Sequence, residues 1–179
     1  MIHPEIEKII ISKEEIQKRV KELGQQITKD YEGETVLTIA VLKGSIVFFA
    51  DLVREIDLNV ITDFIHVSSY GSGTVSSGHV LVKGLDTIDL EGKNIIFIED
   101  IIDTGNTMAQ LVEITKECGA KSIKICSFLD KPSRREAEVD LDYIGFAIPD
   151  EFVVGYGLDY DQRFRHLPDL CVVKPEAYM

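Results

Sequence analysis

The chain has 179 residues, the length of one domain, and 45 % of them are hydrophobic, enough for one sizeable core. Its formal net charge is −12, which disfavours broad electrostatic binding to nucleic acid or to an anionic membrane surface. A small anionic ligand remains compatible, because a few cations, a metal or a helix terminus can reverse the local field.

Ser12-Lys13-Glu14-Glu15 has the capping-box pattern, and Ile16, Val20, Leu23 and Ile27 follow at helical spacing, so the spacing predicts a first helix. Thr35 to Leu42 is β-branched and apolar on both faces, as in a buried strand, and stops at Lys43-Gly44-Ser45. Ile46, Phe49, Ala50 and Val53 give a second helical stripe, and Asn59 to Ser69 reads as a strand. The polar, glycine-rich segment between Tyr70 and His79 is expected to be a mobile loop or lid. Val80 to Val82 is a short strand, and Asn94 to Ile98 is a second fully buried one. A helix carrying Met108, Leu111, Val112 and Thr115 closes at Gly119; Ser122 to Leu129 and Tyr143 to Ile148 complete the strands. Strands alternating with helices imply one α/β domain with a mainly parallel, twisted sheet flanked by helices. Ligands in such folds bind beyond the carboxyl ends of the strands.

Cys118, Cys126 and Cys171 are scattered, show no CxxC spacing, and are expected to be buried thiols in a reducing compartment. The first residues lack the charge and apolar run of a signal peptide, and no apolar run approaches the ~20 residues of a spanning helix. The expected location is the cytoplasm.

The segment Phe97-Ile98-Glu99-Asp100-Ile101-Ile102-Asp103-Thr104-Gly105-Asn106-Thr107 begins as a strand and ends as a helix. Free N–H groups and the helix dipole make its Thr104–Thr107 end a phosphate cradle, with Gly105 allowing close approach. Glu99 and Asp100 can accept from sugar hydroxyls or hold hydrated Mg²⁺. The plainer reading makes Asp103 an N-cap and the other two acids solvated. Two acids directly after a buried strand, and a third before Thr-Gly, weigh against it.

These residues resemble the phosphoribosyl pyrophosphate signature of the type I phosphoribosyltransferases. Further segments, covering about Ile6 to Val173, are similar to the bacterial-type hypoxanthine phosphoribosyltransferases. Leu42-Lys43-Gly44-Ser45 looks like that family's pyrophosphate loop, in which the Leu-Lys peptide is often cis. Ser68-Ser69-Tyr70-Gly71 looks like its catalytic loop, and Lys131 like its purine-reading lysine. Phe152 and Val153 match the base-stacking and edge-reading positions, Asp159 a Mg²⁺ ligand and Arg165 a pyrophosphate-binding arginine. Ile101 is expected on the other face of the base.

The resemblance implies a small hood built from the terminal segments and a homodimer or homotetramer. It implies transfer of a phosphoribosyl group to hypoxanthine or guanine. Glu99, Asp100 and Asp159 would serve the metal. Asp103 would act as general base toward purine N7. Lys43, Gly44, Ser69, Tyr70, Thr104, Gly105, Asn106, Thr107, Lys131, Phe152, Val153 and Arg165 would bind substrates. The alternative is a regulator of the same fold that binds the sugar phosphate without catalysis. Such a regulator would need a basic nucleic-acid surface or an extra DNA-binding segment, and neither is visible in a sequence of net charge −12.

Overall fold

Strong burial of apolar residues on both faces of β2 (Thr35–Leu42) and β5 (Asn94–Ile102) sets the architecture. The structure is a computed structural model that describes residues 3–69 and 80–177. Val36, Ala40, Ile96 and Ile98 face one apolar layer, while Leu37, Ile39, Val41, Ile95 and Phe97 face the other. Each fully buried aliphatic or aromatic side chain of this kind contributes about 1.5–3 kcal/mol.

The first layer is supplied by α1 (Lys13–Asp30) and α2 (Ile46–Arg54), the second by α3 (Asn106–Glu117). The predicted capping box of α1 is formed in both directions between Ser12 and Glu15, a device worth about 1 kcal/mol. β2 and β5 pair in parallel, flanked by β3 (Asn59–Ser69), β6 (Ser122–Asp130) and β7 (Tyr143–Ala147). β4 (Val80–Lys83) adds antiparallel to β3, giving the order β4-β3-β2-β5-β6-β7.

The chain termini build a second, antiparallel sheet. β9 (Leu170–Val173) lies between β1 (Ile6–Ile11) and β8 (Val153–Val154). Val153, Leu170 and Val172 pack into the main core, whereas Val154, Cys171 and Val173 turn outward onto Ile6 and Phe164. This sheet is the hood that the resemblance implied, although β1, β8 and β9 were not among the strands expected from periodicity. Among the described residues no helix is long and apolar enough to cross a membrane.

Two expectations need correction. The buried strand does not stop at Ile98: β5 runs on through Ile102, because Ile101 and Ile102 continue the ladder with Leu129 and Asp130. Cys118 is exposed, since it caps the C-terminal end of α3, while Cys126 and Cys171 are buried as expected. Burial pushes the Cys171 thiol up to about 11 and raises that of Cys126 further, which keeps both protonated.

Candidate active site

The parallel ladder brings the carboxyl ends of β2, β3 and β5 to one edge of the sheet, and a cavity of about 570 Å³ opens there. Lys43 and Gly44 line it after β2, His66 and Val67 from β3, and Glu99 to Gly105 from β5 and the turn beyond it. Thr107 and Met108 close it from α3, and Asp159, Gln162 and Arg165 from the hood side. The Leu42–Lys43 peptide is cis.

Gly44 packs directly against the Asp100 carboxylate. A Cβ there would lie 1.6 Å from Asp100 Oδ2, so any side chain at this position displaces that carboxylate from where it now stands. Gly105, at φ +84°, is the N-cap of α3 in the left-handed region that a side chain would strain. The N-cap is Gly105 and not Asp103, as the plainer reading had it. The Asn106 N–H donates to Thr104 Oγ1 at 3.4 Å. The first-turn N–H groups, which have no partner within a helix, point the positive end of α3 toward the cavity.

Glu99 is 8 % exposed, and its Oε1 accepts from the Asp100 N–H at 3.1 Å. Burial, then the neighbouring Asp100 carboxylate, push the Glu99 carboxyl well above the usual 4.5. An oxygen-rich acidic pair of this kind fits a hard divalent cation, which commonly takes one or two carboxylates and completes its shell with water and phosphate. Asp159 does not join that pair into a ligand cluster. Its Oδ1 lies 2.7 Å from Arg165 Nη2, its Oδ2 accepts from the Gln162 N–H, and no group of three metal-binding side chains forms among the described residues.

The raised carboxyl has a thermodynamic consequence. Folding favours its protonated form, so its penalty on the folded state grows as pH climbs above 4.5 toward the raised value. With divalent cations chelated, Glu99→Gln should raise the melting temperature in mildly alkaline buffer. The gain should shrink as pH falls. Thermal melts at several pH values test this, and an unchanged or lower melting temperature at alkaline pH contradicts it.

Of the residues expected at the purine, Ile101 and Asp103 line this cavity, whereas Lys131, Phe152 and Val153 do not. Lys131, 8 % exposed, follows β6, and its N–H donates to the Ile102 carbonyl. Its Nζ donates to Asp150 Oδ1 at 3.2 Å and to the Glu151 carbonyl at 2.8 Å, which occupies two of three ammonium protons. Phe152 is 40 % exposed and meets Tyr160 edge-on, with ring centroids 5.6 Å apart. Val153 is buried in the hood sheet opposite Val172. Ile101, half-buried at the end of β5, lies on the cavity wall.

Other expected residues are placed less simply. The Asn106 side chain turns away to Glu136 at 2.9 Å and does not line the cavity. Lys43 Nζ lies 3.5 Å from Gln162 Oε1, and Arg165 Nη1 donates to the Gly157 carbonyl at 2.8 Å. Tyr70 and residues 71–79 lie outside the described residues, and of Ser69 only the backbone of β3 is described.

Two arginines were missed. Arg135 pairs with Asp130, and its Nη1 donates to the Asp103 carbonyl at 3.2 Å. Arg134 Nε lies 2.7 Å from Asp103 Oδ1, an ion pair more than a well-directed hydrogen bond. The N–H groups of Glu136 and Ala137 both donate to the Thr104 carbonyl, so this segment buttresses the turn. The readable signal was Lys131-Pro132-Ser133-Arg134-Arg135, a cationic run in an acidic chain.

Known proteins share this arrangement. The phosphoribosyl transferase domain family matches residues 9–161. The hypoxanthine-guanine phosphoribosyltransferase of Bacillus subtilis is 54 % identical, over 99 % of each chain. That of Streptococcus thermophilus is 49 % identical over the same shares. A crystal structure of a hypoxanthine phosphoribosyltransferase from Staphylococcus aureus superposes with a TM-score of 0.93 at 42 % identity, covering 99 % of this chain and 96 % of the other. The fold, the turn after β5 and these likenesses together place the chain in the phosphoribosyltransferase family, among its hypoxanthine-guanine members.

Proposed function

We propose that this enzyme serves purine salvage by transferring the 5-phosphoribosyl group of phosphoribosyl pyrophosphate to hypoxanthine and guanine, giving the nucleoside 5′-monophosphate and pyrophosphate. The observation that carries this reading is the cavity lined by Glu99, Asp100 and the Asp103–Gly105 turn, with the buried Lys131 ammonium beside it.

Thr104, Gly105, Thr107 and the N-terminus of α3 cradle the 5′-phosphate, aided by the backbone at Asn106. Glu99 and Asp100 would orient the ribose hydroxyls and hold Mg²⁺, and Asp159, which stands apart from that pair, would offer a further carboxylate from the hood side. Bound Mg²⁺ supplies charge neutralisation at the departing pyrophosphate. Lys43, the Gly44 backbone and Arg165 stabilise the same charge. Ser69 and Tyr70 bind the pyrophosphate and help to keep water from a cationic sugar.

The base lies between Phe152 and Ile101, with the Val153 backbone reading its edge and Lys131 donating its third proton to the exocyclic oxygen. Asp103 takes the proton from N7 as the anomeric carbon is attacked.

The whole chain acts as one domain, which the shared core of hood and main sheet supports. The assembly is a homodimer or homotetramer in the cytoplasm; its partners are the two small-molecule substrates, with no nucleic acid or membrane.

The reading is tested by specificity. Adenine offers Lys131 an amino group where a 6-oxopurine offers an acceptor, so the wild-type enzyme should use hypoxanthine and guanine and not adenine. Lys131→Ala should lower kcat/KM for both oxopurines by about 10²-fold, the loss of a charged hydrogen bond at roughly 1.5–3 kcal/mol. Steady-state kinetics with each base measure this. Unchanged hypoxanthine kinetics in the variant remove Lys131 as the reader.

A further inference from the structure

Arg134 occupies an unusual position. It ends a single 3₁₀ turn, Pro132–Arg134, that begins directly after Lys131. Its guanidinium reaches two carboxylates on different segments: Nε lies 2.7 Å from Asp103 Oδ1, and Nη1 lies 3.3 Å from Asp150 Oδ2. The other oxygen of Asp150 accepts from Lys131 Nζ at 3.2 Å. A continuous chain of charges, Lys131–Asp150–Arg134–Asp103, thus links the buried lysine to the acid at the turn.

The pairs at Arg134 are half-exposed, with 47 % of its side chain accessible and 42 % and 49 % of its two partners, so they add little to stability. Their geometric content is larger. Arg135 fixes the backbone of Asp103 through its carbonyl, yet nothing in that contact fixes the carboxylate. The Arg134 guanidinium does: hydrogen-bonded to Asp150 at one end, it holds its positive charge 2.7 Å from Asp103 Oδ1, an attraction that a neutral side chain would not supply.

We propose that Arg134 is a positioning residue for phosphoribosyl transfer: it orients the Asp103 carboxylate toward the purine and ties that orientation, through Asp150, to the lysine that reads the base. This rests on the reading of Asp103 as general base and Lys131 as base reader. Asp150 anchors both cations, so the two ends of the purine site are set in one frame. Proton transfer depends steeply on such alignment.

The test uses the full-length enzyme with hypoxanthine, phosphoribosyl pyrophosphate and Mg²⁺. Arg134→Gln should lower kcat about tenfold, a fraction of what a general base supplies, with KM for hypoxanthine little changed. Arg134→Lys should recover part of that loss and not all. In an Asp103→Asn background, Arg134→Gln should cost almost nothing further, since the group it positions is gone. An unchanged kcat in Arg134→Gln, a raised KM with kcat intact, or the same tenfold loss in the Asp103→Asn background each overturns the proposal. Full turnover by Asp103→Asn alone instead overturns the general-base reading and takes this inference with it. An impaired Asp103→Asn beside an unimpaired Arg134→Gln defeats the inference and leaves that reading standing.

Discussion

Asp103→Asn should lower kcat for hypoxanthine by ~10²–10⁴-fold, the usual contribution of a positioned general base. The asparagine keeps the shape of the side chain and an oxygen that can accept from N7–H, so KM for the base should change little. It cannot take the proton. The structure makes this a clean substitution for three reasons. Asp103 is not the helix cap, because Gly105 occupies that position in the left-handed region. Its backbone is held independently of the carboxylate, by Arg135 on its carbonyl. Its charged partner among the described residues, Arg134, is itself half-exposed, so the loss of that pair should hardly move the melting temperature. Near-normal turnover in steady-state assays would falsify the assignment, whereas a raised KM with intact kcat would move Asp103 into the binding set.

Gly44→Ala should cost ~10²-fold in kcat/KM for phosphoribosyl pyrophosphate while leaving the fold nearly intact. The added Cβ would stand 1.6 Å from Asp100 Oδ2 and 2.5 Å from Asp100 Cγ. The three nearest atoms all belong to the short Asp100 side chain, so relief comes from swinging that carboxylate, at a local cost of about 1–3 kcal/mol. The swing displaces the group proposed to hold the ribose and its metal, and ångström-scale misplacement at a reacting centre costs on the order of 10²-fold. Parallel thermal melts and kinetics separate the two consequences. A wild-type kcat/KM shows that Asp100 does not need its present position, and a collapse of the melt shows that the glycine serves the fold.

The central sheet was legible because its strands are buried on both faces. Thr35 to Leu42 and Asn94 to Ile98 carry no polar alternation, and such runs between helical stripes have few other solutions. The turn after β5 was legible for a chemical reason: acids at a strand end followed by Thr-Gly at a helix start serve a sugar phosphate better than they serve packing.

What escaped depends on partners distant in sequence. β1 is Ile-Glu-Lys-Ile-Ile-Ile, without clean alternation, and it pairs with β9 more than 150 residues away. β8 has two residues, too few for any period. The acidic pair hid the true end of β5, because charge suggested a loop where the ladder to β6 continues. Cys118 lies one residue beyond an amphipathic helix, and the cap geometry that exposes it is not written in hydropathy. Asn106 was read with its neighbours as a phosphate donor, yet Glu136 claims its side chain. Arg134 and Arg135 were overlooked because their carboxylates lie on other segments.

The most direct test of the account is purine-dependent release of pyrophosphate from phosphoribosyl pyrophosphate and Mg²⁺ by the purified full-length chain. The account predicts release with hypoxanthine and with guanine, matched by formation of the corresponding nucleoside monophosphate, and none above background with adenine. Binding of phosphoribosyl pyrophosphate without release in the presence of any purine would contradict it.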